Sequence, residues 1–284
     1  MERKLFSALA GIFFITGIMT PGECYSQNQK AVIRNYLTEL PKSGQAENRS
    51  PQKYRMTAVY TNRDLYGNFT SKTRVTGDYT SGYAGDSVAW NNVYISASQK
   101  YEEPFSQGTK QDYMENFRYI PSEKMVYNEN EFSKFPLNPE NVFARNLIWD
   151  MMTFEIYAWN YWDSLRLNCT YLIPGIKGEF NMAAIGTYFH NKVTLLWKGI
   201  SQFNNELCAV IDFSALDNMI EIKMGQIKTK GTEQYWGTIM VSLRTRNIEQ
   251  AEMYGGTIQE VEVAGIKDKF LVKTIRELTL DKIQ

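Results

Sequence analysis

The chain has 284 residues, with 31 basic and 31 acidic side chains and a single histidine. The balanced charge excludes the basic excess by which a nucleic-acid binder is recognised, and the length suffices for a substantial core without a disulfide scaffold. Aromatic residues make up 14 % of the chain, which suits β-strands and cavity walls equally.

The N-terminus reads as a targeting segment. Arg3 and Lys4 precede an apolar run from Leu5 to Met19, Pro21-Gly22 breaks it, and Cys24 and Ser26 supply small residues for cleavage before Gln27. The run is shorter than the roughly 20 residues of a membrane-spanning helix. A lipid anchor on Cys24 would need a small residue where Glu23 stands. The expectation is a signal peptide over residues 1–26 and export to the periplasm or outer membrane of a Gram-negative bacterium, with residues 27–284 as a single β-rich domain.

Val32, Ile33, Tyr36, Leu37 and Leu40 form an i, i+3, i+4 stripe, which predicts a short amphipathic helix over Gln29 to Leu40, ended by Pro41 and Gly44. The period then changes to two. Tyr54, Met56, Ala58 and Tyr60 alternate with Lys53, Arg55, Thr57 and Val59, and Asn62-Arg63-Asp64 turns the chain into a run from Phe69 to Tyr79, so an antiparallel pair is predicted. A strand near Ser87 to Ser98 leads into a loop-rich segment at about residues 100–137, with one or two short strands.

Asn138-Pro139-Glu140 offers an N-cap, an N1 proline and an acidic first turn. Val142, Phe143, Leu147, Ile148, Met151, Met152 and Ile156 follow, predicting a helix at about residues 139–162. With Trp149, Phe154, Tyr157, Trp159 and Trp162 added, it is apolar around much of its circumference and should be buried on more than one side. Everything after Asp163 reads as sheet. Val193, Leu195 and Trp197 turn at Phe203 to Glu206 into Leu207, Ala209, Ile211 and Phe213, followed by strands around Ile220, Ile239, Ile258 and Phe270 to Leu280. The fold expectation is α+β: a curved antiparallel half-barrel of about nine or ten strands wrapped on a long apolar helix, plus the short N-terminal helix.

Much chemistry is excluded by absence. One histidine cannot build a multi-histidine metal site, and no His-Glu-x-x-His, paired Cys-x-x-Cys, phosphate loop or dinucleotide glycine fingerprint occurs. No cofactor, metal ligand or catalytic residue is assigned. Gly85-Asp86-Ser87-Val88-Ala89 only approaches a nucleophile elbow. His190, before Asn191-Lys192, reads as a surface-turn residue rather than a general base. Glu155, Asp163, Glu206 and Asp212 are the carboxylates from which a glycosidase pair could come; Asp212 reads as a solvent-facing strand position. Asn48, Asn68 and Asn168 stand in glycosylation sequons of a frequency expected by chance. Cys169 and Cys208 could pair in an oxidising compartment or remain free.

The remaining constellation is aromatic, and Trp149, Phe154, Trp197 and Trp236 are the candidate ligand-binding residues, with core packing as the competing role for each. An exported chain with an N-terminal helix, a long antiparallel meander and an apolar helix against one face resembles the half-barrel periplasmic lipoprotein carriers of the LolA/LolB type. The resemblance is architectural, covers roughly Gln29 to Gln284 and rests on no motif. It implies an envelope protein that holds a lipid or other apolar small molecule in a cavity. Two alternatives stand beside it: a glycan-binding or glycan-hydrolysing protein using Trp and carboxylates, and a structural envelope protein whose sheet edges pair with a protein partner.

Overall fold

The computed structural model describes residues 27–45, 51–82, 86–122, 125, 128–136 and 140–283. The expected signal peptide and the Asn138-Pro139 cap lie outside them. The order is α1 (Gln27–Thr38), β1 (Gln52–Arg63), β2 (Phe69–Ser81), β3 (Val88–Ser98), β4 (Thr109–Lys110), β5 (Phe117–Tyr119), α2 (Glu140–Trp159), β6 (Thr170–Leu172), β7 (Gly178–Asn181), β8 (Gly186–His190), β9 (Lys192–Phe203), β10 (Glu206–Met224), β11 (Ile227–Ser242), β12 (Ile248–Val263) and β13 (Phe270–Ile283).

This corrects the expected fold. The chain is mostly antiparallel sheet, with 13 strands among the described residues, about 56 % strand against 17 % helix, and the sheet is not closed. Nor is a long apolar helix at its centre. α2 ends at Trp159 rather than Trp162 and carries Asn141, Arg145, Asp150 and Glu155 buried among its apolar residues. Its apolar positions therefore alternate with charges that demand partners on the sheet. β4 and β5 are short strands in the segment where one or two were expected, and the strands not expected are β6 to β8, whose sequences are too brief or too glycine-rich to show a period.

The sheet runs β4-β3-β2-β1-β13-β12-β11-β10-β8-β7, so the first and last long strands lie side by side. β10 is long enough to serve two partners. β9 pairs with Glu206 to Leu216, and β8 pairs with Met219 to Ile222. The change falls at a bulge between Ala215 and Asn218 where Asp217 takes a φ of +57°. Buried Asn218 accepts a hydrogen bond from the Asn191 backbone N–H at 3.2 Å, which fixes the corner between β8 and β9.

Alternation puts Tyr54, Met56, Ala58 and Tyr60 of β1 on the inner face with Ile211, Phe213, Ile239, Met253, Leu278 and Leu280. α2 packs on this face and contributes Leu147, Ile148, Met151 and Phe154. Its polar groups are matched by the sheet: Tyr79 Oη donates to Glu155 at 2.7 Å, Asn146 donates to Tyr60 Oη at 3.1 Å, and Asp150 forms an ion pair with Arg276. Arg145 also reaches the Ala183 carbonyl at 2.9 Å. These charge-bearing contacts set the axial position of α2, which apolar packing alone would leave free to slide.

α1 and the segment after it close one end. Trp162 Nε1 donates to the Pro41 carbonyl at 2.7 Å, and the Arg246 guanidinium lies 4.1 Å from the Trp162 ring centroid while also binding the Pro41 and Lys42 carbonyls. Among the described residues no helix is long and apolar enough to cross a membrane.

Candidate ligand cavity

The main core does not fill the whole space under α2. A second, smaller apolar cluster of Met182, Ile185, Ile220 and Met224 lies apart from it, and Trp149 touches both. Between α2 and the inner face of β10 to β13 and β1 is a cavity of about 590 Å³. That volume lies within the range of small-molecule sites.

The strand register organises the wall into rows, because directly opposed residues of antiparallel strands share a face. Nearest the core, Tyr235, Gly255, Arg276 and Tyr60 stand in one row. Gly255 presents no side chain between Tyr235 and Arg276, which leaves room. The next row is polar throughout: Glu233, Thr257, Thr274 and Asn62, with Thr274 Oγ1 donating to Asn62 Oδ1 at 2.7 Å and Asn62 donating to Ser71 Oγ at 3.0 Å. Beyond it come Ile220 and Gln259, then Ile222 and Thr229, then Met224 and Ile227 beside the Gly225 turn. Val142, Trp149, Met152 and Ile156 of α2 form the opposite wall.

Electrostatically the cavity is unusual for its burial. Asp150 and Arg276 form a nearly buried ion pair, with the guanidinium 5.5 Å from the Tyr60 ring centroid. Glu233 is enclosed by protein except where it meets the cavity, and loss of solvent raises its pKa. Burial, then the Glu233 charge, holds the Tyr188 phenol well above its ordinary value. Tyr157 and Tyr235 hydroxyls meet at 3.0 Å, and burial raises both.

His190 is not on a surface turn, which corrects the sequence reading. It is the last residue of β8 and lines the cavity, 4.8 Å from the Tyr188 ring and 5.4 Å from Phe180 between centroids. The turn begins one residue later, at Asn191. Burial lowers its pKa to about 4, so it is neutral at neutral pH, and its Nδ1 has no hydrogen-bond partner.

The four candidate aromatic residues are dispersed. Trp149 lines the cavity. Phe154 is fully buried in the main core, its ring edge-on to Phe213 at 6.0 Å. Trp197 is also fully buried, donating to the Gly199 carbonyl at 2.8 Å. Trp236 is 46 % exposed on the outer face, directly opposite Tyr254.

The carboxylates considered for glycoside chemistry are likewise each engaged elsewhere. Glu155 is bound by Tyr79, Asp163 by Ser43, Glu206 by Arg244 and Ser242, and Asp212 by Lys198 at 3.1 Å and Thr238 at 2.9 Å. None of them lines the cavity. Cys169 and Cys208 are both free thiols, Cys169 exposed and Cys208 buried. Among the described residues no group of three or more His, Cys, Asp or Glu is placed to hold a metal ion.

The cavity residues that sequence reasoning missed are Asp150, Glu233, His190 and Arg276. A signal existed for one: extending the alternation of β11 back from Ile239 through Gly237 and Tyr235 puts Glu233 on the buried face.

No family model matches the chain, and no curated protein is significantly similar to it.

Proposed function

We propose that this protein is an exported binder of one small apolar or amphiphilic molecule, held between α2 and the inner face of the sheet. The observation that carries the reading is the 590 Å³ cavity between two apolar clusters, lined by Trp149, Ile156, Ile220, Ile222, Met224 and Ile227 and furnished with a few convergent polar groups. Export is supported by the basic start, apolar run and small residues of the first 26 positions; N-terminal sequencing of envelope material is expected to begin at Gln27.

The test is uptake of N-phenyl-1-naphthylamine, a neutral fluorophore whose emission rises in apolar surroundings. Saturable binding of one molecule per chain is expected. Emission that rises only linearly with protein, or no rise, overturns the reading.

A second reading, carbohydrate binding on the outer face, is favoured by one observation. Trp236 and Tyr254 stand side by side and exposed, with Glu252 hydrogen-bonded to Tyr254 Oη at 3.2 Å and Glu277 directly opposite Tyr254. Paired aromatic rings beside carboxylates suit the apolar face and hydroxyls of a sugar. Retardation in gels cast with a soluble polysaccharide, abolished by Trp236→Ala, would support it.

A further inference from the structure

The cavity is polarised along the strands. At its inner end, Glu233 and Thr257 stand in the polar row, one row from the Asp150–Arg276 ion pair. At its outer end, four apolar residues, Ile220, Ile222, Met224 and Ile227, with Gln259 and Thr229 beside them, lead to the β10–β11 turn at Gly225. A molecule matching both ends carries its polar group deep, against the main core, and its apolar part toward the turn.

The polar end also has a sign. Among the described lining residues Arg276 is the only Lys or Arg, and it is already paired with Asp150, while His190 is neutral. Glu233 faces no cation there; its neighbours across the strands are Asn218 and Thr257. A second carboxylate or a phosphate placed beside it would face repulsion from the Glu233 carboxylate. A hydroxyl would instead donate to the Glu233 oxygens and exchange hydrogen bonds with Thr257.

We infer that the ligand is a single-chain amphiphile with an uncharged, hydroxyl-bearing head, inserted head first, and that Glu233 is the residue that selects this head against anionic ones. This rests on the ligand-binding reading above and names its substrate class.

The experiment is displacement of N-phenyl-1-naphthylamine at pH 8 by two compounds of equal chain length, 1-monododecanoylglycerol and sodium dodecanoate. The glycerol ester is expected to displace at a concentration at least tenfold below that of dodecanoate. A smaller ratio, or a preference for dodecanoate, overturns the head-group inference and leaves the binding reading intact; failure of the fluorophore to bind at all overturns both.

Glu233→Gln keeps the shape and removes the charge, and should reduce the ratio at least fivefold. An unchanged ratio in a folded E233Q protein removes Glu233 from the selecting role. Thr257→Val gives a second arm should E233Q fail to fold: it is expected to weaken the glycerol ester at least threefold and leave dodecanoate unaltered, and equal weakening of both overturns the inserted-head geometry.

Discussion

Trp149 and Phe154 lie on the same helix and are both large aromatics, yet the structure gives them opposite roles, which a pair of truncations separates. Phe154 is fully buried and edge-on to Phe213, so Phe154→Ala removes a packed ring and should cost about 3–5 kcal/mol. Trp149 already has the cavity on one side and bridges the two apolar clusters, so much of its ring lacks partner atoms to lose. Trp149→Ala should cost roughly 1–2 kcal/mol, well below the value for a fully packed ring. At roughly 2–4 °C per kcal/mol for a large domain, Phe154→Ala should lower Tm by about 6–20 °C and Trp149→Ala by about 2–8 °C. Urea unfolding with an unchanged m-value gives the free energies directly. Fluorophore binding should be altered in Trp149→Ala and retained in Phe154→Ala at temperatures where both are folded. Equal destabilisation of the two variants, or unaltered binding in Trp149→Ala, would refute the assignment of Trp149 to the cavity wall.

Other outcomes follow from the buried polar groups. His190 is the only histidine, so its imidazole NMR signals need no assignment; they should titrate near pH 4 rather than 6.5. Because the folded pKa lies below the unfolded one, the unfolded chain binds the extra proton, and stability is full above about pH 6.5 and declines as pH falls toward 4. Titration near 6.5 would place the ring in solvent. Tyr157→Phe leaves the Tyr235 hydroxyl without its 3.0 Å partner and should cost about 1–3 kcal/mol, whereas the double variant Tyr157→Phe/Tyr235→Phe should recover part of this; additive losses in a double-mutant cycle would show that the two hydroxyls do not interact. In protein beginning at Gln27, a thiol reagent should modify one cysteine quickly, exposed Cys169, and reach Cys208 only on unfolding, since burial pushes that thiol up to about 12. Absence of reactive thiol without reductant would show a disulfide instead.

Much of the strand content was legible because long strands with one buried face write a period of two into the sequence. Tyr54, Met56, Ala58 and Tyr60 announce β1, and Leu195 to Phe213 announce the β9–β10 hairpin. The N-terminal helix was equally clear from its stripe and lies at Gln27–Thr38. What misled was α2. Its abundance of Trp, Phe and Met suggested an apolar rod at the centre of a half-barrel, but Asn141, Arg145, Asp150 and Glu155 are buried as well and dictate where the helix sits. A buried charge is recognisable only once its partner is known, and Arg276 and Tyr79 are far from α2 in sequence. The cavity was illegible for a similar reason: its polar row is assembled from single residues on four separate strands, Glu233, Thr257, Thr274 and Asn62. The aromatic residues were the wrong guide to it, because Phe154 and Trp197 are conspicuous in sequence as ring carriers and are used here as core.

The claim that the cavity holds a ligand is tested most directly by native mass spectrometry of the wild type and Thr257→Trp, purified side by side from their expressing cells. Thr257 lines the inner end of the cavity, and an indole there should occupy the space of the ligand's head. The expected result is a non-covalent adduct of a single mass on the wild type, released by denaturation, and its loss from a Thr257→Trp protein that keeps a cooperative thermal transition. A wild type that carries no adduct and takes up none when incubated with 1-monododecanoylglycerol, or an adduct retained in equal amount by folded Thr257→Trp, would contradict it.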